Sequence, residues 1–257
     1  MASSSSSAIS HFPSVLYKPK YDTWPYSAQD FERSDETPDA QFYSEARLFT
    51  HIDDAAIARL KQYYETVLPR TGKILDLCTS WNSYYPTAVK KAIYGVGLNR
   101  EEMALNGVFL SKHERWRVLD LNEPPYDIRA AWRGENLLFD ATTCVVSVEY
   151  LKEPLTVLGK LREATKEGGT VHLVISNRCF PNKVVSRWSI LNELMRLEFV
   201  GDYLCFSGWK NVEAVDLCAK DERGFRVTDD RGTVLRGSPH LPDHLDPLWV
   251  IRGTKSA

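Results

Sequence analysis

Three short stretches hold the residues through which this chain can do chemistry: Asp76; Gly97, Leu98 and Asn99; and Asp120, Leu121 and Asn122. Each closes a short apolar run of the kind that forms a strand buried on both faces. In an open sheet of parallel strands, the carboxyl ends of neighbouring strands border one crevice, and ligands bind there. A carboxylate or amide at such an end accepts hydrogen bonds from paired hydroxyls, and a further acceptor selects an amino-bearing base. The turn after Asp76, with Cys78, Thr79, Ser80, Trp81 and Asn82, contains no glycine. The chain has neither G-x-G-x-x-G nor a P-loop, so nothing cradles a phosphate. The set suits an adenosine-containing ligand without a pyrophosphate and leaves a nicotinamide dinucleotide enzyme unsupported.

Each residue also has a plainer reading. Asp76 is a ligand contact or a cap at a strand end. Asp120, followed by Asn122 and two prolines, is a ligand contact or a turn former. Trp81 covers the ligand or plugs the core edge, the core being favoured. His51 beside Asp53 is a base oriented by a carboxylate or part of a helix cap. Tyr150, Asn177 and Arg178 follow strands and face the crevice, Arg178 as a substrate contact or in an ion pair. Tyr43 joins them as a substrate candidate from an aromatic segment, 21–50, which is a lid or the cover of a sheet edge. Tyr150 and His51 are the catalytic candidates.

These residues need a scaffold. The spacing of Ile57, Leu60, Tyr64 and Val67 predicts a helix to about residue 68, capped by Asp53 or Asp54. Strands are expected at 73–78, 94–99, 116–121, 142–148, 170–176, 203–206, 213–218 and 248–251. Helices are expected near 86–91 and 100–106, from Pro154 to a stop at Gly168-Gly169, and from a cap at Asn182 to about 198. Alternation through residue 200 followed by strands alone predicts an α/β, Rossmann-like, doubly wound and mostly parallel sheet with an antiparallel C-terminal strand. Residues 1–20 read as a flexible serine-rich arm and 21–257 as a single domain. A hairpin insertion at 219–245 centres on Asp229 to Gly232, within 224–237.

With 43% hydrophobic residues in 257, the chain can build a sizeable core. The net charge of −2 gives no reason to expect nucleic acid or an anionic membrane as partner. The five cysteines form no CxxC pair. Those at 144, 205 and 218 lie in apolar, strand-like runs, which suits buried thiols in a reducing compartment and gives no zinc site. The serine-rich start is a tail or an organelle transit peptide; the absence of arginine before Arg33 favours the tail and a cytoplasmic protein.

The order of several blocks resembles the class I S-adenosylmethionine-dependent methyltransferases of the methyltransferase-11 type, in a subgroup whose first motif runs D-L-C-S-S-W. The blocks are Phe42 to Glu45, Thr50 to Asp53, Ile74 to Trp81, Gly95 to Asn99 with Glu101-Glu102, Asp120 to Asn122, Phe139-Asp140 through Val148, Glu167 to Gly169, and Ser176 to Pro181. The resemblance implies S-adenosyl-L-methionine as cofactor and a small-molecule acceptor. It implies that Asp76 and the backbone of 78–82 face the methionine part, that Gly97, Leu98 and Asn99 meet the ribose, that Asp120 reads the adenine amino group with Leu121 on the ring, and that Ser147 to Tyr150 stand near the transferred methyl. The chain departs from the family at Cys78, Ser80 and Asn82, where glycines are usual, and at Gly97, where an acid usually holds the ribose. Those departures keep an alternative open: a repurposed methyltransferase fold without transfer activity.

Overall fold

The computed structural model describes residues 12–132, 137–235 and 242–256. Residues 1–11 of the expected arm and the far end of the 224–237 hairpin lie outside them. The elements run β1 (Ser14–Leu16), α1 (Asp39–Phe42), α2 (Asp54–Val67), β2 (Ile74–Leu77), β3 (Ile93–Gly97), α3 (Arg100–Leu105), β4 (Trp116–Val118), β5 (Phe139–Val145), α4 (Pro154–Glu163), β6 (Thr165–Ser176), α5 (Ser186–Ile190), α6 (Glu193–Phe206), β7 (Lys210–Asp216) and β8 (Leu248–Thr254).

All strands join one eight-stranded sheet in the order β1-β7-β8-β6-β5-β2-β3-β4. β2 runs parallel to β3 and β5, β3 to β4, and β5 to β6. β8 is antiparallel to both β6 and β7, and β1 is antiparallel to β7. The sheet is therefore α/β and mostly parallel, as its apolar runs require. From β2 the chain steps outward to β3 and β4, then returns to β5 on the other side of β2. That reversal opens a crevice above the carboxyl ends of β2 and β5.

Alternating side chains feed a core on each face of the sheet. Leu75, Leu77, Leu173 and Ile175 pack with Leu158, Leu161, Trp188 and Tyr203, while Ile74 and Val174 pack with Leu60, Tyr63, Tyr64 and Met103. Among the described residues no helix is long and apolar enough to cross a membrane.

Several expectations need correction. The arm does not extend to residue 20: Ser14–Leu16 pairs with Glu213–Val215, and the Tyr17 amide donates to the Val212 carbonyl at 2.7 Å. The helix from Pro154 ends at Glu163, and Gly168-Gly169 lies inside β6. The helix expected from Asn182 is two helices. The second is capped by Asn192, whose side chain accepts from the Met195 amide, and it runs through Tyr203 to Phe206, which were expected as strand. Phe199, Val200, Tyr203 and Leu204 are all buried, so no solvated face reveals the helical period. Cys205 is consequently helical and half-buried, while Cys144 and Cys218 are buried, and all five thiols are free. Within the expected hairpin, the Asp229 amide donates to the Thr233 carbonyl at 3.0 Å, and Thr228 bridges Val234.

Candidate functional site

A cavity of about 540 Å³ fills the crevice at the reversal. The end of β2 and the loop after it supply Asp76 to Tyr84, the end of β3 and the cap of α3 supply Gly97 to Asn99, the segment after β4 supplies Leu119 to Asn122, and the end of β5 with the turn after it supplies Val145 to Ser147 and Tyr150. Every expected cofactor position lines it: Asp76, Cys78, Ser80, Trp81, Asn82, Gly97, Leu98, Asn99, Asp120, Leu121 and Ser147. So do Tyr43, His51, Tyr150 and Arg178. Asn177 does not. Its amide donates to the Arg231 carbonyl at 2.7 Å and so anchors the hairpin.

Asp76 sits one residue inside the strand end, in a nest of hydroxyls. Ser83 Oγ donates to Oδ2 at 2.5 Å, Thr143 Oγ1 approaches Oδ1 at 3.5 Å, and Tyr85 shares a hydrogen bond with Thr143. Burial pushes its carboxyl up to about 7, with those hydroxyls pulling the other way. Asp76 is thus both a wall of the cavity and the hub of a buried network.

Beyond Asp76 the backbone turns at Cys78, which takes a φ of 58°. The Thr79 amide then donates to the Val96 carbonyl at 2.7 Å, strapping the loop across β3. This is why residue 97 is glycine: a Cβ there would stand 2.0 Å from the Thr79 carbonyl oxygen. The strap occupies the place of a side chain, so no acid fits at that strand end. Asn99 cannot replace it. Its Oδ1 accepts from the Glu102 amide as the cap of α3, and its Nδ2 donates to the carbonyls of Tyr43 and Ser44.

Asp120 is half-buried and raised above the usual carboxylate range, first by burial. Oδ1 accepts from the Asn122 amide at 2.8 Å; its second oxygen has no partner among the described residues. Asn122 ties the neighbourhood together, donating to Asp39 and to the Tyr150 carbonyl and accepting from the Lys152 amide. Asp39 in turn meets Arg33 at 2.9 Å and Lys183 at 3.3 Å. Buried charges persist only when paired in this way.

The remaining wall is aromatic. Phe180 is its centre, with ring centroids 5.6 Å from Phe42, 6.1 Å from Tyr43, 5.5 Å from His51 and 6.3 Å from Tyr150. Arg47 lies 4.6 Å from the Phe42 centroid and 5.2 Å from that of Phe180. His51 is not oriented by Asp53: that carboxylate accepts from the amides of Ala56 and Asp246. Burial lowers the His51 imidazole below its usual value, so it is neutral near pH 7. Tyr150 is raised far above the usual phenol range by burial, and its oxygen accepts from the Phe180 amide at 2.8 Å. It remains a protonated phenol, a donor and not a base. Trp81 is half-exposed at the cavity wall, not in the core, and donates to the Phe49 carbonyl at 3.0 Å. Arg178 pairs with Asp246 at 2.7 Å, so its ion-pair reading stands beside its place on the wall.

Sequence reasoning gave no role to Arg47, Asp39, Phe180 or Glu102. Arg47 and Asp39 reach the cavity only through long-range approach of the 33–53 segment, and Phe180 reaches it from the turn after β6. Glu102 did leave a signal. It stands at the third helical position after an Asn cap, where a glutamate normally reaches back to the cap. Here its carboxylate turns away, accepting from the Arg47 amide at 2.8 Å and from Ser80 Oγ at 2.6 Å.

No family model and no curated protein matches the chain. Similar solved structures include an S-adenosylmethionine-dependent methyltransferase from Thermotoga maritima, 16% identical over 79% of this chain and 91% of that one, with a TM-score of 0.44. Another from Mesorhizobium loti is 12% identical over 75% and 96%, with a TM-score of 0.47. A phosphoethanolamine N-methyltransferase from Haemonchus contortus, solved with S-adenosylhomocysteine, is 13% identical over 78% and 52%, with a TM-score of 0.46. At these identities the likeness is one of fold, and function has to come from the residues of the cavity.

Proposed function

We propose that the protein transfers a methyl group from S-adenosyl-L-methionine to a small-molecule acceptor. The observation that carries this reading is the cavity itself. It lies at the sheet's reversal and pairs an acceptor with a free oxygen, Asp120, with apolar Leu121 beside it, and it has no glycine turn for a phosphate. The residues present fit the adenosine end of the group: Asp120 faces it with an unpaired oxygen, and Leu98 and Leu121 supply apolar surface. The loop from Asp76 to Asn82 would hold the methionine end.

When bound, S-adenosylmethionine supplies an electrophilic methyl on sulfur, so the protein's work is alignment, exclusion of water and removal of a proton. Tyr43, Phe49, Tyr150 and Phe180 give an aromatic chamber for an organic acceptor. The Tyr150 hydroxyl donates to an acceptor oxygen or nitrogen and fixes its orientation. His51, neutral and walled by Phe49 and Phe180, accepts the proton that a hydroxyl or amine releases.

The Thr79 carbonyl in the place of a side chain at Gly97 favours a second reading, a repurposed fold with no transfer activity. A thermal-shift titration with S-adenosylmethionine and S-adenosylhomocysteine, with NAD as control, separates the two. Ligand at about a hundred times its dissociation constant adds about 2.7 kcal/mol, a rise of roughly 5–10 °C for a chain of this size. A saturable rise with the two methionine ligands alone supports methyl transfer; no rise with either overturns it.

A further inference from the structure

We infer that Glu102 is the carboxylate that receives the ribose hydroxyls, supplied from helix α3 because the β3 end has no room for one. The inference rests on the reading of the cavity as an S-adenosylmethionine site. A vicinal diol presents two donors, and a carboxylate accepts both better than an amide does. At the end of β3 the Thr79 carbonyl excludes any side chain from residue 97, and every polar atom of the Asn99 amide already has a partner. The next carboxylate along this wall is Glu102, 7% exposed and lining the cavity beside Ser80, Gly97 and Leu98.

Its placement is that of a held acceptor. Its position in the first turn of α3 calls for a carboxylate bent back onto the cap, and this one is aimed across the cavity wall. One donor reaches each oxygen, the Arg47 amide to Oε1 and Ser80 Oγ to Oε2. Each oxygen keeps capacity for a further hydrogen bond. The two donors fix the carboxylate from the covering segment and from the β2 loop, the two strands of chain that close the cavity there. Thr79 strapped over β3 leaves no space for a side chain at residue 97, and α3 brings a carboxylate to the same wall.

The test is equilibrium binding of S-adenosylhomocysteine and its 2′,3′-dideoxy analogue to the full chain, to Glu102→Gln and to Ser80→Ala. Wild type should bind the analogue roughly 10–100-fold more weakly, as expected for hydrogen bonds to a charged acceptor. Glu102→Gln should weaken S-adenosylhomocysteine by a similar factor and erase most of the preference for the diol. Ser80→Ala should keep that preference, because the carboxylate remains. A wild-type preference below twofold overturns the inference without need of any variant. So does a preference undiminished in Glu102→Gln. Failure of wild type to bind either compound overturns the cofactor reading itself, which separates the two failures.

Discussion

The 21–53 segment builds two aromatic clusters from the same kinds of residue, and they do different work. In the rear cluster Trp24, Tyr26 and Phe31 pack on α6, with Phe31 stacked 5.8 Å from Phe199 and Tyr26 edge-on to it at 4.8 Å. Two of its hydroxyls are paired: those of Tyr17 and Tyr26 both donate to buried Asp202 at 2.7 Å. In the front cluster Phe42, Tyr43, Phe49 and His51 gather around Phe180, which is only half-buried and opens to the cavity. A closed aromatic cluster with paired hydroxyls is a staple. An open one, with a cation against its rings and a neutral imidazole on its wall, is a chamber. The segment expected as a lid or a cover thus packs on α6 in its rear half and borders the cavity in its front half.

The largest effect should come from exchanging the clusters' fortunes. Phe31→Ala should destabilise the protein by about 3–5 kcal/mol, the range for losing a buried aromatic, and leave ligand affinity of the folded protein unchanged. Phe180→Ala should lower the denaturation midpoint far less but weaken acceptor binding. Equal stability losses in chemical denaturation would erase the distinction between staple and chamber.

The next effect involves Glu149, which stands between the clusters. It is fully buried, both carboxyl oxygens lack a hydrogen-bond partner among the described residues, and it lies near the phenols of Tyr43 in front and Tyr203 behind, which burial first and Glu149 to a lesser degree push up. Burial pushes it up to about 8, from roughly 4.3 in an unfolded chain. A carboxyl raised on folding stabilises the fold in its protonated form. That contribution is fully present below about pH 4 and is lost as pH rises toward 8. At about 1.4 kcal/mol per pKa unit, the decline is on the order of a few kcal/mol, with Asp76, raised to about 7, adding to the same limb. The acid limb has the opposite cause. His172 is lowered by burial to about 3, so its contribution is present above about pH 6.5 and lost as pH falls toward 3. Glu149→Gln should flatten the alkaline limb from pH 5 to 8 and leave the acid limb alone. An unchanged alkaline slope in urea midpoints would show that Glu149 is ionised in the fold.

How far the sequence reaches differs between the halves in the same way. The strands that lead to Asp76, Gly97 and Asp120 were legible because a short apolar run next to a polar residue is a local pattern, although β4 stops at Val118, two residues before Asp120. The cap at Asp53 and the helix after it were legible for the same reason. Arg47 was not, because its place exists only once the 33–53 segment reaches the cavity, and Glu102 left only the signal of its position after the Asn99 cap. The rear staple hid a helix as well. Its partner α6 is buried nearly all round at its end, so Tyr203 to Phe206 carries apolar strand-like residues without a polar face. Asn99 was legible as a residue of the site but not in its role, since its amide serves the cap and the covering segment.

Truncation sharpens the comparison at a smaller scale. Removing residues 1–20 deletes β1 and the Tyr17 hydroxyl and leaves Asp202 with one of its two phenol donors. Loss of a hydrogen bond to a charged group costs about 1.5–3 kcal/mol, and the drop should appear in the rear staple alone, with ligand affinity unchanged. A truncation through residue 20 as stable as the full chain would mean that β1 contributes nothing to the sheet edge.

Trp81→Phe should have the smallest effect and is the finest probe of the front half. The indole joins the β2 loop to the covering segment through one hydrogen bond, Nε1 to the Phe49 carbonyl at 3.0 Å. Phenylalanine keeps most of the apolar surface and removes only that donor, so stability should fall by about 0.5–1.5 kcal/mol. Ligand binding should weaken by a few fold, because Phe49 and His51 lose a tether to the cavity wall. If Trp81 were instead a core plug, the substitution would open a void and the loss would exceed about 2 kcal/mol, with binding following stability. The ratio of the two losses therefore tells a tether from a plug. A tether at this point also means that closing the chamber and ordering the β2 loop are one event, so ligand bound at the strand ends should itself slow amide exchange in residues 42–53.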